Sequence, residues 1–446
     1  MHATAENPAS PLTQKRILLT WLPLAASWLL MALEMPYINA ALARLPESVH
    51  MIAAFGIAAS LSITIESPVI SLLATSTALA RSPQNYAMLR RFTVQLMVAT
   101  TLLQALLAWS PLFDIVVKGW MGTPESLLAS VKLGLQLMLL WSAAIAWRRF
   151  RQGILIRFGN SASVGKGTLV RLLVSLGVAT VMAVFTEAPG IATGALALSL
   201  GVIAEAIYAH MASAELVREK FGAASTLSAP DLSYGALVNF HWPLAMSNLL
   251  FLLTQPLIAA ALARGTDPET ALAAWPVLNG LFFISRAVVV AIPEVVIAHH
   301  EIAGSQPALR RFSYNVGWAC TLLLALVAFT PLSDVYFHTL IGVDTQLSLV
   351  AEAGARLGVL LPLMVAAVML SRGLLTAQRN TRPLALSMVL ELVVLSTVLI
   401  GGTALGLPGV PLAAAGLTLS LATEALYLNT LTQKSHSQPA AVPAQN

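Results

Sequence analysis

This 446-residue sequence predicts an all-α polytopic membrane protein with twelve transmembrane helices in two homologous six-helix lobes. Three observations carry that prediction. Apolar residues make up 57% of the chain and charged residues only 10%, against about 25% charged in soluble domains. Apolar segments long enough to cross a hydrocarbon core of about 30 Å recur along the whole length. The chain also matches itself at a shift of 220 residues. The first observation excludes a soluble enzyme, a nucleic-acid module and a disordered scaffold, because a mean hydropathy of +0.78 leaves too little polar surface to face water.

The elements follow in order. Residues 1–16 are polar, end in Lys15-Arg16 and have neither the apolar stretch nor the cleavage site of a signal peptide. They are expected to be cytoplasmic. Six spans follow at 17–44, 51–80, 92–117, 126–147, 168–186 and 190–212. Six more are expected at 237–263, 271–298, 312–339, 346–371, 383–406 and 409–431. The lobes are then 17–217 and 237–432, joined by a cytoplasmic linker at 218–236, with a disordered cytoplasmic tail at 433–446. Pro36, Pro68, Pro256, Pro293 and Pro362 lie inside spans, where neighbouring helices can satisfy the freed backbone groups.

The basic residues sort by loop. Nineteen of the twenty-five Lys and Arg residues fall at the ends that share a side with the termini, counting positions just inside span ends. That set includes Arg148, Arg149, Arg151, Arg171, Arg372 and Arg379. Arg44, Lys118, Lys132 and Arg264 lie at the other ends. Positive charge collects on the cytoplasmic side, so both termini are placed inside, in the inner (plasma) membrane of a bacterium. The net charge of +5 is therefore a topology signal and implies no nucleic acid. The single cysteine, Cys320, fits no disulfide or metal spacing.

The repeat is specific. Pro23-Leu24-Ala25 matches Pro243-Leu244-Ala245, and Ala40 through Arg44 match Ala260 through Arg264. Arg90-Arg91-Phe92 matches Arg310-Arg311-Phe312, and Gly122 matches Gly342. Gly153, Leu155 and Asn160 match Gly373, Leu375 and Asn380. At a shift of 219, Glu205 and Tyr208 match Glu424 and Tyr427. Six spans per half is an even number, so the halves run in the same direction and their pseudo-two-fold axis lies along the membrane normal. Parallel repeats of this kind commonly enclose a transport site at their interface.

Several stretches carry a family resemblance: Leu22-Pro23-Leu24 through Glu34, His241 through Ala245, Ile341 through Asp344, Arg372 through Leu375, and the last two spans with Glu424. Over most of residues 17–430 the chain resembles the multidrug/oligosaccharidyl-lipid/polysaccharide (MOP) exporter superfamily, and within it the progressive ankylosis family. The resemblance implies two V-shaped lobes and export of small anionic metabolites such as citrate, pyrophosphate or nucleotides.

An ionised side chain in hydrocarbon is costly and is usually matched by a cavity or a partner. Glu34 lies two residues before Pro36 and is a candidate ion-coupling acid. The resemblance adds that drug exporters of the superfamily carry an acid in the same span. Glu66 and Arg286 are repeat equivalents at mid-span. Facing the cavity, they would form a gate or an ion pair, or Arg286 would clamp an anion while Glu66 titrates; each could equally be satisfied inside its own lobe. Arg356 is a second candidate anion contact, and Glu294 a further coupling acid. Asn39 and Asn279 could add neutral hydrogen bonds to the cargo, as could Asn248 and Gln255. Glu205, Glu424 and Glu391 are assigned gate or structural roles. His241 could titrate, while Trp242 suits an interfacial anchor.

Two tempting motifs fail. Gly159 to Lys166 has the wrong spacing for a phosphate loop, and His299-His300-Glu301 has the wrong spacing for a zinc protease. No enzyme and no cofactor are expected beyond a coupling H+ or Na+. The function indicated is secondary, alternating-access export of a small organic or phosphorylated anion. A multidrug exporter, a lipid-linked flippase and a non-transporting scaffold stay open as alternatives. The expected partners are an anionic small molecule and membrane lipids, with the protein a monomer.

Overall fold

A computed structural model describes residues 12–222, 225–227, 229–230, 232–300, 302, 304–378 and 382–437. The expectations for Glu301, Arg379, Asn380 and most of the two chain ends lie outside these residues. Every regular element among the described residues is helical. Ten helices are long and apolar enough to cross a membrane, and two bent helix pairs raise the number of spans to twelve. The protein is an integral membrane protein.

Spans 1 to 6 are Gln14–Ala43, Ser48–Ile65, Pro83–Trp109, Glu125–Arg157, Ala162–Phe185 and Gly190–Phe221. Span 2 continues after Glu66 as Ser67–Leu79. Span 7 is Tyr234–Leu262, and span 8 is the pair Pro268–Ala287 and Val289–His299, bent by 42°. Span 9 is Ser305–Phe329, and span 10 is the pair Thr345–Leu357 and Leu361–Ala377, bent by 47°. Spans 11 and 12 are Arg382–Ala404 and Gly409–Gln433. Twelve spans are an even number, so the described chain enters span 1 and leaves span 12 at the same face, here the termini face; the opposite one is the far face.

Spans 3, 4, 6 and 9 sit differently from expectation, span 6 running to Phe221 rather than 212. Span 3 starts at Pro83 rather than 92 and ends at Trp109 rather than 117. The Ser82 hydroxyl caps it by accepting from the Asn85 N–H at 3.2 Å, and Pro83 occupies the first turn. Helix therefore forms ahead of the Arg90-Arg91 pair, where an apolar window begins too late. Span 9 likewise begins at Ser305, after Gly304 at φ +72°. Beyond spans 3 and 9 the chain forms short π-helical segments, Asp114–Trp120 and Val335–Ile341. Span 4 runs to Arg157 rather than 147, so Arg148, Arg149 and Arg151 lie within the helix and not in a loop.

Spans 2 to 6 and 8 to 12 form two bundles; the second halves of spans 1 and 7 join them, whereas their first halves, Gln14–Ala32 and Tyr234–Leu252, pack mainly against the opposite bundle. The described windows of spans 2 and 6 are 61% and 72% buried, against 11% and 22% for spans 5 and 11, which places the former pair inside and the latter pair outside. Leu173 and Ile400 are 62% and 71% exposed. Such side chains on the outer helices suit a lipid boundary. Between bundles the heaviest packing joins the far-face halves of spans 2 and 8, Ser48–Ile65 and Pro268–Ala287.

The sequence repeat is realised in contacts. Trp21 Nε1 donates to the Val288 carbonyl at 2.9 Å, and His241 Nε2 donates to the Pro68 carbonyl at 2.9 Å. Residues 21 and 241 are repeat equivalents, as are 68 and 288. A contact from i to j across the bundles that recurs from i′ to j′ in the opposite direction is what a two-fold operation produces. The same holds for close approaches. A Cβ on Gly153 would lie 2.6 Å from the Leu73 carbonyl, and one on Gly373 would lie 3.0 Å from Pro293 Cα, its repeat equivalent. Gly153→Ala and Gly373→Ala are each expected to destabilise by about 1–3 kcal/mol through overpacking. Gly177→Ala, with no atom within 4 Å of the added Cβ, should stay near the parent in a thermal unfolding experiment.

Candidate functional site

The buried charges form one cluster in each bundle. In the first, Glu34 accepts from Arg171 Nε at 3.0 Å, from Arg171 Nη2 at 2.5 Å and from Ser175 Oγ at 2.7 Å. Span 1 is thereby tied to span 5. Glu66 accepts from Trp141 Nε1, and the Arg171 guanidinium lies 5.7 Å over the same indole ring. Glu205 accepts from Arg148 and, at 3.0 Å, from Gln152 Nε2. Three acids from spans 1, 2 and 6 thus lie among Arg148, Arg149 and Arg171 of spans 4 and 5. Such matching is what a low-dielectric interior demands.

In the second bundle Glu424 Oε1 accepts from Arg372 Nε at 3.1 Å, Arg372 Nη2 at 2.6 Å and Ser387 Oγ at 2.8 Å. Its Oε2 is buried with no partner among the described residues. Buried Glu391 lies within electrostatic reach of Glu424, Arg372 and Arg286. Arg286 is half-buried on span 8, beside the bend, and makes no hydrogen bond or ion pair with the described residues.

A shift of 220 maps Glu66 onto Arg286 and Arg171 onto Glu391. The two bundles therefore carry an acid and a base at equivalent positions with the polarity reversed, within electrostatic reach but not joined as ion pairs. Glu66 and Arg286 do not face each other as a pair. Each turns into its own bundle, where Trp141 and Arg171 meet Glu66 and where Glu391 lies near Arg286.

The remaining candidates are placed as follows. Arg356 donates to the Ala328 carbonyl at 3.2 Å and pairs with Glu352 at 3.4 Å at the span 9–span 10 contact, with its side chain half exposed. Glu294 is exposed on the termini-face half of span 8. Asn39 Nδ2 bridges the bundles to the Pro276 carbonyl at 3.2 Å. The Oδ1 atoms of Asn39 and Asn279 and the Tyr336 hydroxyl are buried without partners among the described residues. Tyr336 lies across Gly280 from Pro36, so these three atoms share the junction of spans 1 and 8 with the second π-helical segment. Asn248 donates to Ser71 Oγ and Gln255 accepts from Trp275, both as helix glue. His241 is buried against Pro68 and Thr75.

Counting loop charges missed Arg148, Arg171 and Arg372 as buried partners. The available signal was their depth in the helix, since Arg171 lies nine residues inside span 5. With Arg148, Arg149, Arg151, Arg171 and Arg372 removed from the loop set, fourteen cations remain on the termini side against four on the far side.

No family model and no curated protein sequence matches the chain. Solved structures do. An inward-facing MATE-family multidrug transporter of the MOP superfamily superposes at TM-score 0.71 with 12% identity, covering 95% of this chain and 99% of that one. A MOP superfamily transporter from Pyrococcus furiosus, described as having a binding pocket of reverse polarity, gives 0.67 at 12% identity over 96% and 97%. The lipid II flippase MurJ in an inward closed conformation gives 0.70 at 10% identity over 93% and 87%. The chain has the all-helical fold of the MATE-family structure, with up to twelve spans.

Proposed function

We propose that the chain is a secondary transporter that exports a small organic or phosphorylated anion by alternating access between its two bundles. The observation that carries this reading is Arg286, a half-buried guanidinium on an inter-bundle helix with no hydrogen-bonding partner among the described residues. A guanidinium is always charged and presents a planar fork of donors suited to carboxylate or phosphate. The unpaired acceptor atoms of Asn39 and Asn279 and the Tyr336 hydroxyl add sites for cargo hydroxyls or bridging water. Glu34 and Glu205 are already matched by arginines, and Arg171 lies close to Glu66, which disfavours a site for cationic drugs.

The finer placement is a progressive-ankylosis-like member of the MOP superfamily with citrate- or pyrophosphate-like cargo. The coupling ion would be H+ or Na+, with Glu294 as the candidate acid without a side-chain partner among the described residues, Glu66 held by Trp141 and Glu34 engaged by Arg171 in this state. The excess of cations on the termini side supports a cytoplasmic position for both ends in a bacterial plasma membrane.

Counterflow in proteoliposomes tests the proposal. Labelled citrate and pyrophosphate are expected to exchange saturably, and a lipophilic cation is not. Flux of the cation alone would replace this reading with a drug exporter, and absence of flux for every probe would favour the scaffold.

A further inference from the structure

At the far face each bundle is tied to the other by one arginine. Arg44, at the end of span 1, donates through Nη1 to the Ile341 carbonyl at 2.8 Å and to the Ala40 carbonyl of its own helix at 2.6 Å. Its Nη2 reaches the Leu340 and Thr339 carbonyls at 3.1 and 3.4 Å. Arg264, at the end of span 7, repeats the pattern in the other direction. Its Nη1 donates to Met121 at 2.9 Å and to Ala260 at 2.8 Å, and its Nη2 donates to Gly119 at 3.3 Å and to Trp120. A shift of 220 carries 44 to 264, 40 to 260, and 119–121 to 339–341. All eight contacts obey one two-fold relation, six of them crossing between bundles.

The chemistry explains the choice of residue. The carbonyls belong to the ends of the two π-helical segments, Asp114–Trp120 and Val335–Ile341. The last carbonyls of a helix lack partners along the chain and carry partial negative charge. One guanidinium has enough donors to serve its own helix end and that of the other bundle together. Gly122 at φ +70° and Gly342 at φ +85° end the two segments in the left-handed region. A Cβ there would come within 3.3 Å of Arg264 and 3.2 Å of Arg44, so glycine also admits the side chain.

We propose that Arg44 and Arg264 are the two halves of a far-face gate, which holds the bundles together in this state and must release for the far face to open. Each arginine stands on the helix end of one bundle and grips backbone of the other. Separation at this face therefore breaks both sets of bonds at once. The gate rests on the alternating-access reading for its role in transport. Its existence is tested without any cargo.

Ala274, fully buried on the far half of span 8, is changed to Cys in a Cys320→Ser background of the full chain. A membrane-impermeant maleimide is applied separately to whole cells and to inverted vesicles, so the side of entry is read directly. Arg44→Ala/Arg264→Ala is expected to raise the labelling rate from the far face by about tenfold or more, with each single variant in between. Arg44→Lys/Arg264→Lys, which keeps the charge without the fork, should fall between parent and the alanine pair. A purely structural role would reduce protein yield while leaving the labelling rate of the assembled protein unchanged. Parent-like labelling in both the alanine and the lysine pairs overturns the gate. Raised labelling with no anion flux leaves the gate standing and removes the cargo assignment instead.

Discussion

Arg286→Ala is expected to reduce anion transport in proteoliposomes by about 10- to 150-fold, with protein yield close to the parent. The magnitude follows from the chemistry of one charged donor. Hydrogen bonds to a charged group contribute about 1.5–3 kcal/mol, and each 1.4 kcal/mol is tenfold in affinity. Folding should be little affected because Arg286 makes no hydrogen bond or ion pair among the described residues for the variant to break. Glu391 would lose a nearby cation but keep Arg372 within reach. Arg286→Lys separates charge from geometry. It should recover part of the rate if the cargo needs only a cation, and little if the planar fork is required. A rise in KM marks a contact made on binding; a fall in maximal rate alone marks one made later in the cycle. Parent-like uptake in Arg286→Ala would take the residue out of the site and leave the anion assignment without its main support.

Most of the architecture was legible because membranes restrict the choices. Backbone groups in hydrocarbon must bond within their own helix, so apolar runs translate directly into spans. The repeat then set the relation between the halves, and Trp21–Val288 with His241–Pro68 realises it at hydrogen-bond resolution. Span ends were less legible. Hydropathy sees where a helix turns apolar, whereas Ser82 and Pro83 determine where the backbone starts to coil. The site was legible only in part. Arg286 stood out because an isolated charge among apolar neighbours is conspicuous in sequence. Arg171 and Arg148 did not, because a cation a few turns inside a span resembles one at its edge. Their acids, Glu34 and Glu205, lie more than fifty residues away along the chain, and no local spacing links them. Arg44 and Arg264 were visible as repeat equivalents, yet their partners are backbone carbonyls, which carry no sequence signature.

The second large effect concerns the pair that holds span 10 to span 12. Arg372 donates twice to Glu424, and the two side chains are 15% and 0% exposed. Removing one member of a buried pair strands the other charge in a low-dielectric interior, which costs about 3–5 kcal/mol. Arg372→Met is therefore expected to lower the thermal unfolding midpoint sharply in detergent, or to abolish assembly. Glu424→Leu should be milder in electrostatic terms, because Arg372 is only partly buried and Glu391 lies close enough to receive it. The double variant Arg372→Met/Glu424→Leu removes both charges and is expected to recover most of the loss, since a buried ion pair replaced by apolar groups of similar volume is often neutral. A double variant as unstable as Arg372→Met would show that these side chains hold the two spans by shape and by the Ser387 contact rather than by matched charge. A recovered double variant that transports at the parent rate would further show that this cluster serves the fold of its bundle and takes no part in moving cargo. That outcome would confine the transport chemistry of the second bundle to Arg286 and its approach to Glu391, the base and acid whose positions are reversed in polarity between the repeats.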